Sequence, residues 1–468
     1  MFSFKMLLFW GLLVCTAVFL ASLGGCGGGG SSAGSPPPPP PTQKIQHVVV
    51  IFQENGTPDN LFHDPILIQR GADIQNYGVN SKGQKITLMP TSLITDYDPG
   101  HGHGSFVKMY DNGKMDGADK VDVTCNPGAK GCPPPNPQFM YVDNSTGLVD
   151  PYFQLAEQYT FGDRMFQTNQ GPSFPAHQYI ISGTSAPSVG SDLFVADNPL
   201  GGANPFEHAG CIAPPEETVM LIDPSGVESQ KMYPCFDHPT LTDMLNTAKI
   251  SWRYYAPSAG VIWNAPNAIQ HMCVPNVPPP NGTACTGPDW TNNVVLKYTQ
   301  VLTDIQNGQL ATVSWVIPSG QASDHAGAND GSGPSWVASV VNAIGNSQYW
   351  SDTAIFIMWD DWGGWYDHVA PPIKNSYEYG FRVPLIVVSP YAKAGSISHV
   401  THHFGSILKY IEENFGLASL GYADADADDL SDCFDYNQTP LTFHTIAASM
   451  DANHFLRDTR PPTDPDDD

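Results

Sequence analysis

Two adjacent carboxylates, Asp360 and Asp361, follow an unbroken apolar run, Ala354-Ile355-Phe356-Ile357-Met358, and precede Gly363-Gly364. A run apolar on both faces fits a buried strand of a parallel sheet. Ligands of open α/β sheets gather where such strands end, so two acids there suit a metal ion or a phosphate. The same residues also make an ordinary polar turn. A second β-branched run, residues 45–52, delivers Glu54 and Asn55 to the same kind of edge. A carboxylate and an amide oxygen are hard ligands, unless they merely open a turn before Gly56. Ser173 lies in residues 171–183, GPSFPAHQYIISG, where an N-cap would stand, with Pro175 in the first helical turn and Gly183 as a stop. A hydroxyl there lies beside free N–H groups at the positive end of a helix, where phosphate binds readily; capping alone is the plainer reading. Imidazoles come from His101 and His103 in the turn at 98–103, from His271, and from His325 in Ser323-Asp324-His325. Each suits a metal or phosphate contact, and each also suits a structural place in a loop.

Taken together, these parts fit one reaction. Glu54, Asn55, Asp360 and Asp361, with Ser173 itself, would hold one divalent cation that lowers the hydroxyl pKa and aligns the oxygen with phosphorus. His101, His271 and His325 would stabilise phosphoryl oxygens or protonate the leaving alcohol. Oxygen ligands suit Ca²⁺, Mg²⁺ or Mn²⁺, and Zn²⁺ stays open.

The elements that must position these side chains alternate. Helical patterns at residues 152–159, 294–306, 335–344 and 405–415 intersperse with strand patterns at 45–52, 311–318, 354–358 and 383–390. Right-handed crossovers between such units predict a largely parallel sheet, in a single domain over residues 43–460. Residues 111–150 read as loop structure tied by Cys125 and Cys132. Residues 185–292, rich in Pro and Gly, read as long insertions shaping a pocket rather than as a second sheet domain. Residues 424–429 read as a solvated acidic loop: Asp429 stands where a calcium loop needs Gly, and Asp435 where it needs Glu. Residues 461–468 read as a disordered acidic tail.

With 46 acidic and 20 basic residues the formal charge is -26, which argues against nucleic acid as a partner. Lys5 and the apolar run 6–23 predict a signal over residues 1–25. Leu23-Gly24-Gly25-Cys26 is similar to a lipoprotein cleavage box. Cys26 would then carry the lipid anchor, followed by a Gly/Ser/Pro-rich tether over 26–42. The expected location is exported: periplasmic, anchored in the outer membrane, or secreted, with membrane contact through that anchor at most. Export permits disulfides. The simplest pairs are Cys125 with Cys132, Cys211 with Cys235, and Cys273 with Cys285, leaving Cys433 over; zinc is the rival use of these cysteines, without CxxC spacing to support it.

The chain resembles the phosphoesterase family of bacterial and plant phosphatidylcholine-type phospholipases C and respiratory-burst-inhibiting acid phosphatases. The matching pieces are HVVVIFQEN at 47–55, DPGH at 98–101, GPSFPAH at 171–177, SDH at 323–325, WDDWGGWYDHVAPP at 359–372 and YGFRVPLIVVSPYA at 379–392. The resemblance implies an alkaline-phosphatase-like α/β/α sandwich with a mainly parallel central sheet. It also implies one divalent metal on Glu54, Asn55, Asp360 and Asp361, and Ser173 as a nucleophile that forms a phospho-enzyme. His101, His271 and His325 match phosphate-contacting histidines, and His368 reads as support. A phosphate ester, phospholipid included, is the implied partner. Gly56-Thr57-Pro58-Asp59 departs from the family's Arg-Ser-Phe-Asp and removes a guanidinium near the site; Asp324-His325-Ala326 replaces Glu-His-Pro. The chain ends soon after the expected sheet domain, without the C-terminal domains of long phospholipases C. That moves weight from phospholipids towards other phosphodiesters or phosphomonoesters.

Overall fold

A run such as HVVVIFQ, rich in β-branched residues, forms a strand and sinks between two layers because it has no polar face to leave in water. The computed structural model describes residues 44–200 and 209–463. The leader, Cys26 and the tether lie outside the described residues, as does 464–468. Nine strands form the main sheet: β1 (His47–Gln53), β2 (Thr160–Phe166), β3 (Trp252–Tyr255), β4 (Val294–Val295), β5 (Val313–Val316), β6 (Thr353–Trp359), β7 (Arg382–Val388), β8 (Ser396–Ser398) and β9 (His402–His403). Their order is β4-β3-β5-β1-β6-β7-β2-β8, with β9 also on β2.

All pairings are parallel except those of β7, which runs antiparallel to both β6 and β2. Sequence alternation predicted a parallel αβ unit at β7. The link over 360–381 carries no helix, and without a crossover the chain returns beside β6 in the opposite direction.

Helices pack in two groups. In one, α1 (Asp150–Gln158) and α4 (Gln300–Gln306) lie against α5 (Gly333–Gly345); in the other, α3 (Leu241–Ala248) and α6 (Phe404–Phe415) lie against α2 (Ser173–Ser182). Strands β6 and β7 are buried along their full length, as both faces of a sandwiched sheet require. This is the expected α/β fold. No helix among the described residues is long and apolar enough to cross a membrane.

Four expectations need correction. Residues 185–292 are more than insertion: they supply β3 of the main sheet, α3, and all three strands of a small separate sheet. The stretch 294–306 is not one helix, because Val294 and Val295 pair with β3 and helix begins at Gln300. The acidic loop 424–429 is not solvated throughout. Asp424 is buried, accepting from Gly421 and Tyr422 N–H, while Asp428 bonds His402 and Ser406. Finally, residues 461–463 are bonded rather than loose: Thr463 O accepts from Gly320 N–H at 2.9 Å, and Pro461 O accepts from Gln321 at 2.9 Å. The three disulfides pair as expected, and Cys433 is a buried free thiol.

Candidate functional site

The register of the sheet builds half of the site. Gln53 of β1 pairs with Trp359 of β6, so the residues that follow, Glu54-Asn55 and Asp360-Asp361, emerge side by side. The two turns are then stitched: Asp360 N–H donates to Gln53 O at 3.1 Å, Gly56 N–H to Asp361 O at 3.0 Å, and Asn55 N–H to Asp360 Oδ1 at 3.3 Å. Asn55 is left-handed, with φ 67°, a conformation Asn tolerates better than most residues. Gly363 and Gly364 have φ 63° and 68°. A Cβ on Gly363 would lie 2.5 Å from Asn55 Cβ, and one on Gly364 2.6 Å from Pro99 Cβ. The glycines let the Asp-Asp turn close against both other loops.

Helix α2 brings the hydroxyl. Its N-cap is Pro172, so Ser173 is the first helical residue rather than the cap, and Gly183 ends the helix in the left-handed region. Freed from capping, Ser173 Oγ donates towards two carboxylates, Glu54 Oε2 at 3.2 Å and Asp361 Oδ2 at 3.3 Å. The next N–H of the helix start, that of Phe174, is taken by Asn198 Oδ1 at 2.9 Å. One turn on, His177 places Nε2 at 3.1 Å from Glu54 Oε1 and 3.8 Å from Asp360 Oδ2. His177 lies within the GPSFPAH motif, without a role assigned to it from sequence. The signal was there: a spacing of i, i+4 from Ser173 puts both on one helix face.

Two of the three expected histidines join this group. His101 Nδ1 donates to Pro99 O at 3.0 Å and its Nε2 accepts from Asn55 Nδ2 at 3.2 Å. His325 Nδ1 donates to Ala326 O at 2.8 Å, and the two rings lie 5.4 Å apart. Backbone carbonyls therefore fix Nδ1 as the protonated nitrogen in each ring. Asp98 lies near both rings, also unassigned from sequence. Asp324 accepts from Tyr152 Oη at 2.7 Å and Trp359 Nε1 at 3.1 Å, which ties the His325 loop to the end of β6. Burial pushes its carboxyl up to about 7.

His271 is the exception. It is partly exposed and held between Asp237, at 2.7 Å, and Asp243, at 3.2 Å. Its hydrogen bond to Asp243 raises its pKa to about 9, helped by Asp237 against the effect of burial. No recorded contact joins it to the Ser173 group among the described residues. The second imidazole of the turn, His103, bonds Glu228. His368 bonds Asp59 at 2.7 Å and Asp73 at 3.1 Å, the supporting place expected of it. Nor does Gly56 leave a gap: a Cβ there would fall 2.2 Å from Leu61 Cδ1. The guanidinium near these turns is that of Arg382, fully buried on Asp367 at 2.8 and 2.9 Å.

The donor set fits a cation. Glu54, Asp360 and Asp361 are fully buried and Asn55 nearly so, and even a protonated His177 would not balance three carboxylates. Asp360 Oδ2 and Asn55 Oδ1 are both buried without a hydrogen-bond partner. Buried charge of one sign with orphaned oxygens is costly unless a cation is bound.

The chain is 24% identical to the hemolytic phospholipase C of Pseudomonas aeruginosa, over 84% of its own length and 56% of that protein's. It is 28% identical to phospholipase C B of Mycobacterium tuberculosis over 29% of this chain and 32% of the relative. With non-specific phospholipase C1 of Arabidopsis thaliana it shares 29% identity over 16% of this chain and 17% of the relative. The chain thus spans little more than half the length of the first and less of the others. Similar solved structures include a Vibrio parahaemolyticus protein of the alkaline phosphatase superfamily, 10% identical, with a TM-score of 0.37 over 84% of this chain and 74% of that one. A model of the Phosphoesterase family matches residues 45–418, most of the chain and every element of the Ser173 group, and the chain belongs to that family.

Proposed function

We propose that the chain is an exported, metal-dependent phosphoesterase of phospholipase C or phosphodiesterase type, with Ser173 as its nucleophile. The observation that carries the reading is a hydroxyl at the start of a buried helix, within 3.3 Å of two carboxylates that have no business being buried together otherwise. Glu54, Asn55, Asp360 and Asp361 would hold a divalent ion, which when bound supplies positive charge to the serine oxygen and the phosphoryl group. The Ser173 proton passes to a neighbouring carboxylate, Oγ bonds to phosphorus, and the ester oxygen leaves as the alcohol. Water then cleaves the phosphoserine. His101 and His325, once protonated at Nε2, donate to phosphoryl oxygens or to the departing alkoxide. His177 holds Glu54 in place. Family membership and the phospholipase C relatives favour a phosphodiester, including phospholipid, as substrate. Three disulfides favour export.

The test is hydrolysis of p-nitrophenylphosphorylcholine and p-nitrophenyl phosphate by the purified protein, with and without chelator. Faster cleavage of the diester, abolished by chelation, is expected. Preference for the monoester would make the protein an acid phosphatase of the same family. Cleavage of neither ester with added metals would replace the enzyme with a binding protein for phosphorylated ligands.

A further inference from the structure

Away from the residues of the Ser173 group, a second set of donors converges beside β8 and β9. His402 ends its Nδ1 on Asp428 Oδ1 at 2.7 Å, so Nδ1 carries the proton and Nε2 offers a lone pair. Asp428 is itself fixed by Ser406 Oγ at 2.7 Å and Leu430 N–H at 2.9 Å. Nε2 faces Ser398 Oγ at 2.8 Å, yet the hydroxyl proton of Ser398 goes to Asp432 Oδ2. One hydroxyl has one proton to give. The group is one proton short for these contacts, which a doubly protonated ring, a protonated carboxyl or a cation bound between them would make good.

Cys433 decides which reading is favoured. The other six cysteines of the described residues are in disulfides, and this one is buried with Sγ 3.7 Å from Asp432 Oδ1, which is 3.6 Å from His402 Nε2. Ligands bound at roughly 2.0–2.3 Å around a tetrahedral ion stand about 3.3–3.7 Å apart. The carboxylate behind a ligating imidazole, here Asp428, is the usual support of a zinc-binding histidine. We infer that His402 Nε2, the Asp432 carboxylate and Cys433 Sγ form a three-residue binding site for a zinc-type divalent cation, with the fourth position left to water. The nitrogen, oxygen and sulfur set is softer than the oxygen-rich Ser173 group, so the two sites should prefer different ions. Binding converts the Cys433 thiol to a thiolate, and its proton goes to solvent.

Cobalt reads the sulfur directly. The full chain carrying Asp360→Asn, stripped with chelator and titrated with Co²⁺, should develop a near-ultraviolet thiolate-to-cobalt absorption. Adding Cys433→Ala or His402→Gln should abolish it, and zinc uptake should fall by one equivalent per chain. Zinc added to the stripped Asp360→Asn protein should also raise its Tm, a readout that needs no change at Cys433 should that variant fold poorly. Absence of the absorption at saturating Co²⁺, with no rise in Tm on adding zinc, would overturn the site and leave His402 as an imidazolium between two aspartates. The cobalt–thiolate band is independent of the metal proposed beside Ser173, whose ligands include no sulfur, and a rise in Tm counts for this site only where His402→Gln removes it.

Discussion

Asp360-Asp361 and Asp367-His368 lie on one loop, a few residues apart, yet they bury their charge in opposite ways. Around Asp367 every carboxylate meets a cationic side chain, Arg164 among them on Asp73 at 2.7 Å. Arg382 grips both Asp367 oxygens, reaches Asp59 at 3.5 Å, and donates its remaining N–H groups to the carbonyls of Asp73 and Asp163 at 2.9 and 2.8 Å. His368 bridges Asp59 and Asp73. Around Asp361 three carboxylates are buried together, with His177 Nε2 3.1 Å from Glu54 and Gly363 N–H on Asp361 Oδ1 at 2.7 Å, while Asp360 Oδ2 and Asn55 Oδ1 have no hydrogen-bond partner. A buried ion pair with every donor used holds structure together. A surplus of one sign, held in place by that same rigid loop, is what binding and catalysis need.

The contrast predicts opposite responses to single substitutions. Ser173→Ala should lower kcat by at least ~100-fold, with Tm nearly unchanged, since one hydroxyl is lost where carboxylates are already in excess. Arg382→Met should do the reverse in kind: loss of about 3–5 kcal/mol of stability, a fall in Tm of roughly 3–6 °C for a chain this size. Equal thermal losses in the two variants would erase the distinction. Asp360→Asn sharpens it further. In chelator-treated protein it should raise Tm by relieving like-charge repulsion, while activity with metal restored falls at least ~100-fold. A lower Tm in the metal-free state would mean that Asp360 is already neutralised by partners within the protein.

How much of this was legible beforehand follows the same divide. Glu54, Asn55, Asp360 and Asp361 could be read because each ends an apolar run, and strand ends in a parallel sheet converge by geometry. Ser173 could be read from the proline and glycine that frame its helix, though not its place one residue inside the cap. The direction of β7 could not, because an apolar run looks alike in either orientation and only the missing crossover helix reverses it. Nor could β3, where WRYY is too short and polar at Arg253 to stand out among the loops. His271 reads as a phosphate donor only as one more imidazole in a loop and by resemblance of motif order. Its partners Asp237 and Asp243 come from a different loop and helix, which no local pattern announces. The pairing of Arg382 with Asp367 and Asp59 is likewise a property of the fold.

Charge placed near the site but outside the matched network should show in pH dependence. Burial raises the Asp324 carboxyl to about 7, above its unfolded value of about 4. Its ionisation in the folded state therefore costs stability, a cost absent below pH ~4 and growing until pH passes ~7. Asp324→Asn keeps an acceptor for Tyr152 and Trp359, so its Tm should gain on that of wild type across this window. A constant difference between the two would mean that Asp324 does not change its ionisation there.

The smallest effect belongs to the ion pair that lies apart from both networks. The pKa of His271 is raised to about 9 by Asp243 and Asp237, above an unfolded value of about 6.5. The stability it adds is fully present below pH 6.5 and disappears as pH rises through 9. His271→Gln should therefore lower Tm slightly at pH 6 and not at pH 10, because a half-exposed pair is screened by water. Its kcat should stay within about 2-fold of wild type at every pH, the size of change left when no transition-state contact is removed. A fall in kcat like that of Ser173→Ala would bring His271 back to the phosphate. It would require the loop bearing Asp237 to release the ring when substrate binds, making this third charge group part of the catalytic one.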